Sequence, residues 1–195
     1  MDTLATALDA RGITVLDLVI AGGALTTFAA RNIEAARAGK PFNAFWSCDF
    51  ATLLVAVAIL GGAPNLSAAC FIVLLPGIII WFMDLFVTGG EWRTAGRVTG
   101  FLMHAWALGA ATYAVHRNGY APRGWAAALS LQVGLYLFSR YALPAKANIN
   151  AVWKPPLGWL YGLGSMARFR VAYVTFPFTF ALIGQALSYY IANWK

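Results

Sequence analysis

An all-α bundle of six membrane-spanning helices is the fold this sequence predicts, and three observations predict it. Hydrophobic residues make up 61% of the 195-residue chain and charged residues only 11%, with a mean hydropathy of +0.67. Apolar stretches recur between short polar or Gly/Pro-rich pieces, and about 17 to 25 such residues cross a hydrocarbon core. The basic residues gather in alternate connections, as they do where the membrane orients a chain.

The first predicted span, Ile13 to Ala30, follows Asp2, Asp9 and a single Arg11. That is not the positively charged leader of a secretory signal, so the span is expected to be a retained helix. The second and shortest, Phe45 to Leu60, opens on the polar run Ser47-Cys48-Asp49. Gly61-Gly62-Ala63-Pro64-Asn65 is turn chemistry and too short for anything but an antiparallel hairpin into the third span, Leu66 to Val87. Within that span Pro76-Gly77, and Pro177 in the sixth, mark candidate kinks.

The fourth span, Val98 to Val115, places Gly100, His104, Ala107 and Ala111 at helical spacing, a small-residue face of the kind that packs closely in membranes. The fifth, Trp125 to Leu143, carries Gln132, Tyr136, Ser139 and Arg140 on one stripe. The sixth runs from Val171 to Trp194. All 195 residues form one predicted transmembrane domain, with residues 144–170 as a long cytoplasmic, interfacial connection in which Trp153, Trp159, Arg168 and Arg170 face headgroups.

A net charge of +7 raises the question of nucleic acid, and the distribution of that charge argues against it. Ten basic residues lie around the first, third and fifth connections and four, Arg11, Arg117, Arg123 and Lys195, on the opposite side. The positive-inside rule then predicts a bacterial inner membrane protein with both termini outside.

Against this apolar background the ionisable residues stand out. Cys48, Asp49, Asp84, His104 and Arg140 all fall near one end of their predicted spans, the cytoplasmic one. Charged groups in hydrocarbon cost several kcal/mol, roughly, by most scales, so such residues face a bundle interior or a wet cavity. Cys48 and Thr52 stack on one helix, and a cavity lined by spans two to five is expected. Asp84 with Arg140 reads first as a register-fixing ion pair. Taken singly, Cys48 is a small core residue and His104 a hydrogen-bonded packing residue; their shared depth is what raises the functional reading. Asp17 reads as a local hydrogen-bonding residue and His116 as facing solvent or headgroups. Asn148 and Asn150, just past the fifth span, are placed to cap the cavity or bind a substrate headgroup.

Three pieces of this chain resemble the YwaF-type bacterial membrane proteins and the wider androgen-induced-gene-like superfamily of intramembrane lipid hydrolases and acyltransferases. They are Phe45-Trp46-Ser47-Cys48-Asp49, then Leu102-Met103-His104-Ala105-Trp106 two spans later, then Asn148-Ile149-Asn150-Ala151-Val152-Trp153-Lys154-Pro155. The resemblance covers about Pro41 to Pro156. It implies hydrolysis or transfer of a lipid acyl ester, with Cys48 as nucleophile, His104 as base and Asp49 as the neighbour steadying the imidazole. Thr52, Asp84, Gln132, Tyr136, Arg140, Asn148 and Asn150 are the candidate substrate-binding residues.

The chain departs from an ideal thiol enzyme in one respect: Asp49 beside Cys48 disfavours a thiolate unless it is protonated or paired. Two other classes stay open, a proton-coupled carrier built on Asp49, Asp84 and His104, and a noncatalytic subunit of a membrane complex. Expected partners are membrane lipids, a lipid substrate, and a second copy or another membrane protein, with no nucleic acid. No cofactor is expected. The two histidines lie toward opposite faces and the two cysteines in separate spans, so no metal site is expected either.

Overall fold

Thr14 and Asp17 begin the first helix with a reciprocal capping box, each side chain accepting from the other residue's backbone N–H. The computed structural model describes residues 12–87, 95–147 and 166–194, and among these the chain is entirely helical. Six α-helices follow in order: α1 (Val15–Arg37), α2 (Ser47–Gly61), α3 (Pro64–Val87), α4 (Ala95–Asn118), α5 (Gly124–Tyr141) and α6 (Met166–Ala192). A 3₁₀ turn, Pro41–Phe45, precedes α2 and another, Ala145–Ala147, follows α5.

Number and order match the sequence expectation, and the largest departure is in α1, which runs on past Ala30 to Arg37. The added two turns contain Ala35, Ala36 and an i,i+3 pair, Arg31–Glu34, at 3.6 Å, which favour helix without favouring hydrocarbon. Hydropathy stops where the polar residues start; the helix does not.

Gly62 ends α2 in the left-handed region, φ +58°. Its neighbour Ala63 donates back to the Ala58 carbonyl at 3.1 Å, and Pro64 opens α3 where its missing N–H is harmless. The expected hairpin is therefore present. Pro76 lies inside α3 and Pro177 inside α6, and both helices continue through their prolines.

α3 is central, packing against α2, α4, α5 and α6, while α1 packs against α2 and α4. More than half of the buried apolar residues among those described are alanines, including Ala24, Ala51, Ala58, Ala107, Ala111 and Ala114. Small side chains let the helix axes approach closely. Gly124 of α5 lies against Ala68 of α3, and Gly184 of α6 against Ile72, each too close for a Cβ of its own. Large apolar side chains point outward instead: Val15 is 77% exposed, Leu182 71% and Tyr190 71%. Among the described residues no helix is long and apolar enough to cross a membrane.

Candidate functional site

The alternating helix directions give the bundle two ends. One holds the C-terminus of α1 and the N-termini of α2 and α4; the other holds the N-terminus of α1, the α2–α3 hairpin and the C-terminus of α4.

At the first end the 3₁₀ turn delivers the chain into α2 so that Ser47, Cys48 and Asp49 occupy its first turn. Ser47 Oγ donates to Gln132 Oε1 of α5 at 3.0 Å, which brings the start of α2 to the predicted polar stripe. Cys48 Sγ lies against Gly77 of α3, at a place where even a Cβ on that residue would collide with the sulfur. Gly77 therefore provides clearance for the thiol. Thr52 is fully buried and its hydroxyl donates to the Cys48 carbonyl at 2.8 Å, a bond within its own helix that leaves it a packing residue one turn deeper.

Asp49 is 6% exposed, and its Oδ1 has no hydrogen-bond partner among the described residues. Leaving a buried polar atom unmade costs roughly 1 to 3 kcal/mol, more for a charge. His104 is half-buried on α4, one helix across from α2. Its Nδ1 lies 2.7 Å from the Gly100 carbonyl. A carbonyl only accepts, so Nδ1 carries the proton and, in the neutral ring, Nε2 carries the lone pair. One orienting partner of this histidine is thus a backbone carbonyl of its own helix. The expected small-residue face is real: Gly100, Ala107 and Ala111 are all buried.

Arg31, on the extended part of α1, acts electrostatically on both Asp49 and His104. Sequence reading counted it only as a topology marker. The signal was the Arg31–Glu34 spacing, which continues the helix. Of the remaining expected residues, Tyr136 and Arg140 are half-buried on α5, and both interact within the protein. Asp84 lies in the last turn of α3, but its side chain, like Asn148 and Asn150, lies outside the described residues. The Asp84–Arg140 pair and the asparagine cap therefore have no geometry to report.

Among the described residues a roomy recess at this end, about 270 Å³, is lined by Arg31, Glu34, Ala35, Ala38, Lys40 and Asn43, from the end of α1 into the 3₁₀ turn.

The second end is built differently. Asp17 is fully buried, pairs with Arg117 Nε of α4, and accepts from Tyr113 Oη at 2.9 Å and from Thr14. Arg117 also donates to the Gly12 carbonyl at 3.0 Å and to Asn118 Oδ1 at 2.8 Å. Asn118 Nδ2 in turn reaches the Ala58 carbonyl and Ser67 Oγ, both at 2.8 Å. Asp17 is thus the centre of a network joining α1 to α4, and through Asn118 to α2 and α3, rather than a local contact. His116, expected at solvent or headgroups, is exposed yet has its Nδ1 3.2 Å from the Ile191 carbonyl of α6.

The chain matches no family model, no curated protein and no solved structure.

Proposed function

We propose that the protein is an integral membrane bundle that hydrolyses or transfers a lipid acyl ester at its first end, with Cys48 as nucleophile and His104 as base. The membrane reading is supported by composition, by the many alanines at the helix contacts and by the large apolar side chains left exposed on the outside of the bundle. Asp17 and Arg117 place opposite charges on α1 and α4 at the second end. Paired with each other inside the bundle, they present little of that charge to hydrocarbon. Withdrawal of Arg117 into that pair also widens the basic asymmetry, which supports a cytoplasmic first end and external termini in the bacterial inner membrane.

The observation that carries the catalytic reading is the buried Asp49 oxygen without a hydrogen bond, in the same helical turn as Cys48 and sharing Arg31 with His104. Buried atoms of this kind are rare and call for an explanation such as a catalytic role. In the proposed cycle His104 Nε2 takes the thiol proton as Cys48 Sγ bonds to the ester carbonyl carbon. The ester C–O bond then breaks, and the departing alkoxide takes the proton from the imidazolium and leaves as an alcohol. Water or an acceptor hydroxyl next gives its proton to His104 and attacks the thioester, releasing the acyl product and restoring the thiol. Asp49 would stabilise the imidazolium that forms in each half, and Arg31, a like charge, would favour its return to the neutral ring. The resemblance of the Cys48 and His104 segments to intramembrane lipid hydrolases and acyltransferases agrees with these roles.

Intact-protein mass spectrometry after exposure to a short-chain phospholipid tests the reading. An acyl adduct on Cys48 that disappears in Cys48→Ala and His104→Ala is the expected result. A folded wild-type protein that never acquires the adduct sinks it, and proton-dependent flux lost in Asp49→Asn liposomes would then favour a carrier.

A further inference from the structure

Just past α1 the chain reverses. Gly39 takes a left-handed φ of +73°, a conformation that glycine adopts without strain, and Lys40 N donates back to the Ala35 carbonyl at 2.8 Å. Asn43 N then donates to the Lys40 carbonyl at 3.2 Å. This fold-back sets Lys40 and Asn43 beside Arg31 and closes the recess of about 270 Å³.

The recess has the chemistry of an anion site. Two cationic side chains, Arg31 and Lys40, and one amide, Asn43, line it with a single acid, Glu34. Glu34 contacts Arg31 through one nitrogen at 3.6 Å, and a guanidinium carries five N–H donors, so its fork retains donors for a second acceptor. The volume lies below the roughly 300 to 1,000 Å³ of pockets that enclose a whole small molecule. It suits a headgroup whose acyl chains remain outside.

We propose that this recess binds the phosphate of a phosphate-ester headgroup, with Arg31 and Lys40 as its cationic partners and Asn43 as a further donor. Arg31 lines the recess at the end of the bundle where α2 begins with Cys48 and Asp49, so the bound phosphate lies at the same end as the proposed chemistry. The substrate class becomes a glycerophospholipid instead of a neutral ester, an inference that rests on the proposed function for its catalytic meaning but not for its binding.

Native mass spectrometry of the full chain in detergent tests it, comparing retention of phosphatidylglycerol with that of diacylglycerol carrying the same acyl chains. Wild type is expected to retain the phospholipid preferentially. Lys40→Gln, at an exposed position, should weaken that retention about tenfold and leave diacylglycerol unchanged, with Lys40→Arg restoring it. Glycerol 3-phosphate displacing the lipid would show that the recess takes soluble phosphate esters as well; lipid retained against it would restrict the site to membrane headgroups, and both outcomes support a phosphate site. Equal loss of both lipids in Lys40→Gln, or loss of neither, overturns it. Because retention needs no turnover, unchanged retention with an intact Cys48 adduct removes the recess alone, and a Lys40-dependent retention without any adduct removes the catalytic reading alone.

Discussion

The two ends of the bundle carry buried carboxylates in opposite circumstances. Asp17 has an arginine, a tyrosine and a threonine around it, and its carboxylate joins α1 to α4. Asp49, nearly as buried, leaves one oxygen without a hydrogen bond and has Arg31 only at electrostatic range. The contrast separates a staple from a site. In a low-dielectric interior a fully paired network rigidifies, whereas a partly satisfied group carries a standing cost that packing elsewhere must offset.

The comparison can be broken most sharply at the first end. Cys48→Ala and His104→Ala should each lower acyl turnover by about a thousandfold, equivalent to about 4 kcal/mol of transition-state stabilisation. Thermal unfolding in detergent should move little, because neither truncation strips a buried charge of its counter-ion as loss of Asp17 or Arg117 does. A large fall in melting temperature for either variant would place it with the staple instead.

At the second end the expected losses are in stability. Asp17→Ala leaves the half-buried Arg117 without its counter-ion and unties α1 from α4, at a cost of about 2 kcal/mol. Equilibrium unfolding of Asp17→Ala, Arg117→Ala and the double variant should show strong coupling, with the double variant no worse than the worse single one. Simple additivity would mean the two residues act separately.

A smaller effect distinguishes crowded from open backbone. Gly77→Ala puts a methyl where Cys48 Sγ sits, while Gly109 has open space around its Cα. Gly77→Ala should destabilise by about 2 kcal/mol and also reduce turnover by displacing the thiol. Gly109→Ala should be neutral or slightly stabilising through helix propensity, so equal melting temperatures for the two variants would argue against the close Cys48 contact.

The smallest expected effect is the most diagnostic in sign. Asp49→Asn removes a charge with an unmade hydrogen bond and should raise stability by about 1 kcal/mol while lowering turnover. Its counterpart Asp17→Asn should do the opposite to stability. Matching signs at the two ends would end the distinction between them.

Much of this was readable from residue order alone. Helix number, the Gly62–Pro64 hairpin and the buried face of Gly100, His104, Ala107 and Ala111 follow from local signals: apolar run length, turn residues and the 3.6-residue period. Such patterns depend on near neighbours along the chain, which is why composition and spacing were enough. Counting residues along each helix is also what gives the expectation that Cys48, Asp49 and His104 share a level.

What spacing does not encode is which side chain meets which across helices. Arg31 looked like a topology marker because a one-dimensional count of basic residues does not see α1 continuing to Arg37. Asp17 looked local because Tyr113 and Arg117 lie almost a hundred residues away. Gly77 looked like a break because only packing reveals that its missing Cβ is occupied by a sulfur. Residue order determined the helices and the depth of their polar groups; the packing of those helices alone decided that one buried acid would be paired and the other left open, because pairing depends on distances between segments that sequence separation does not constrain.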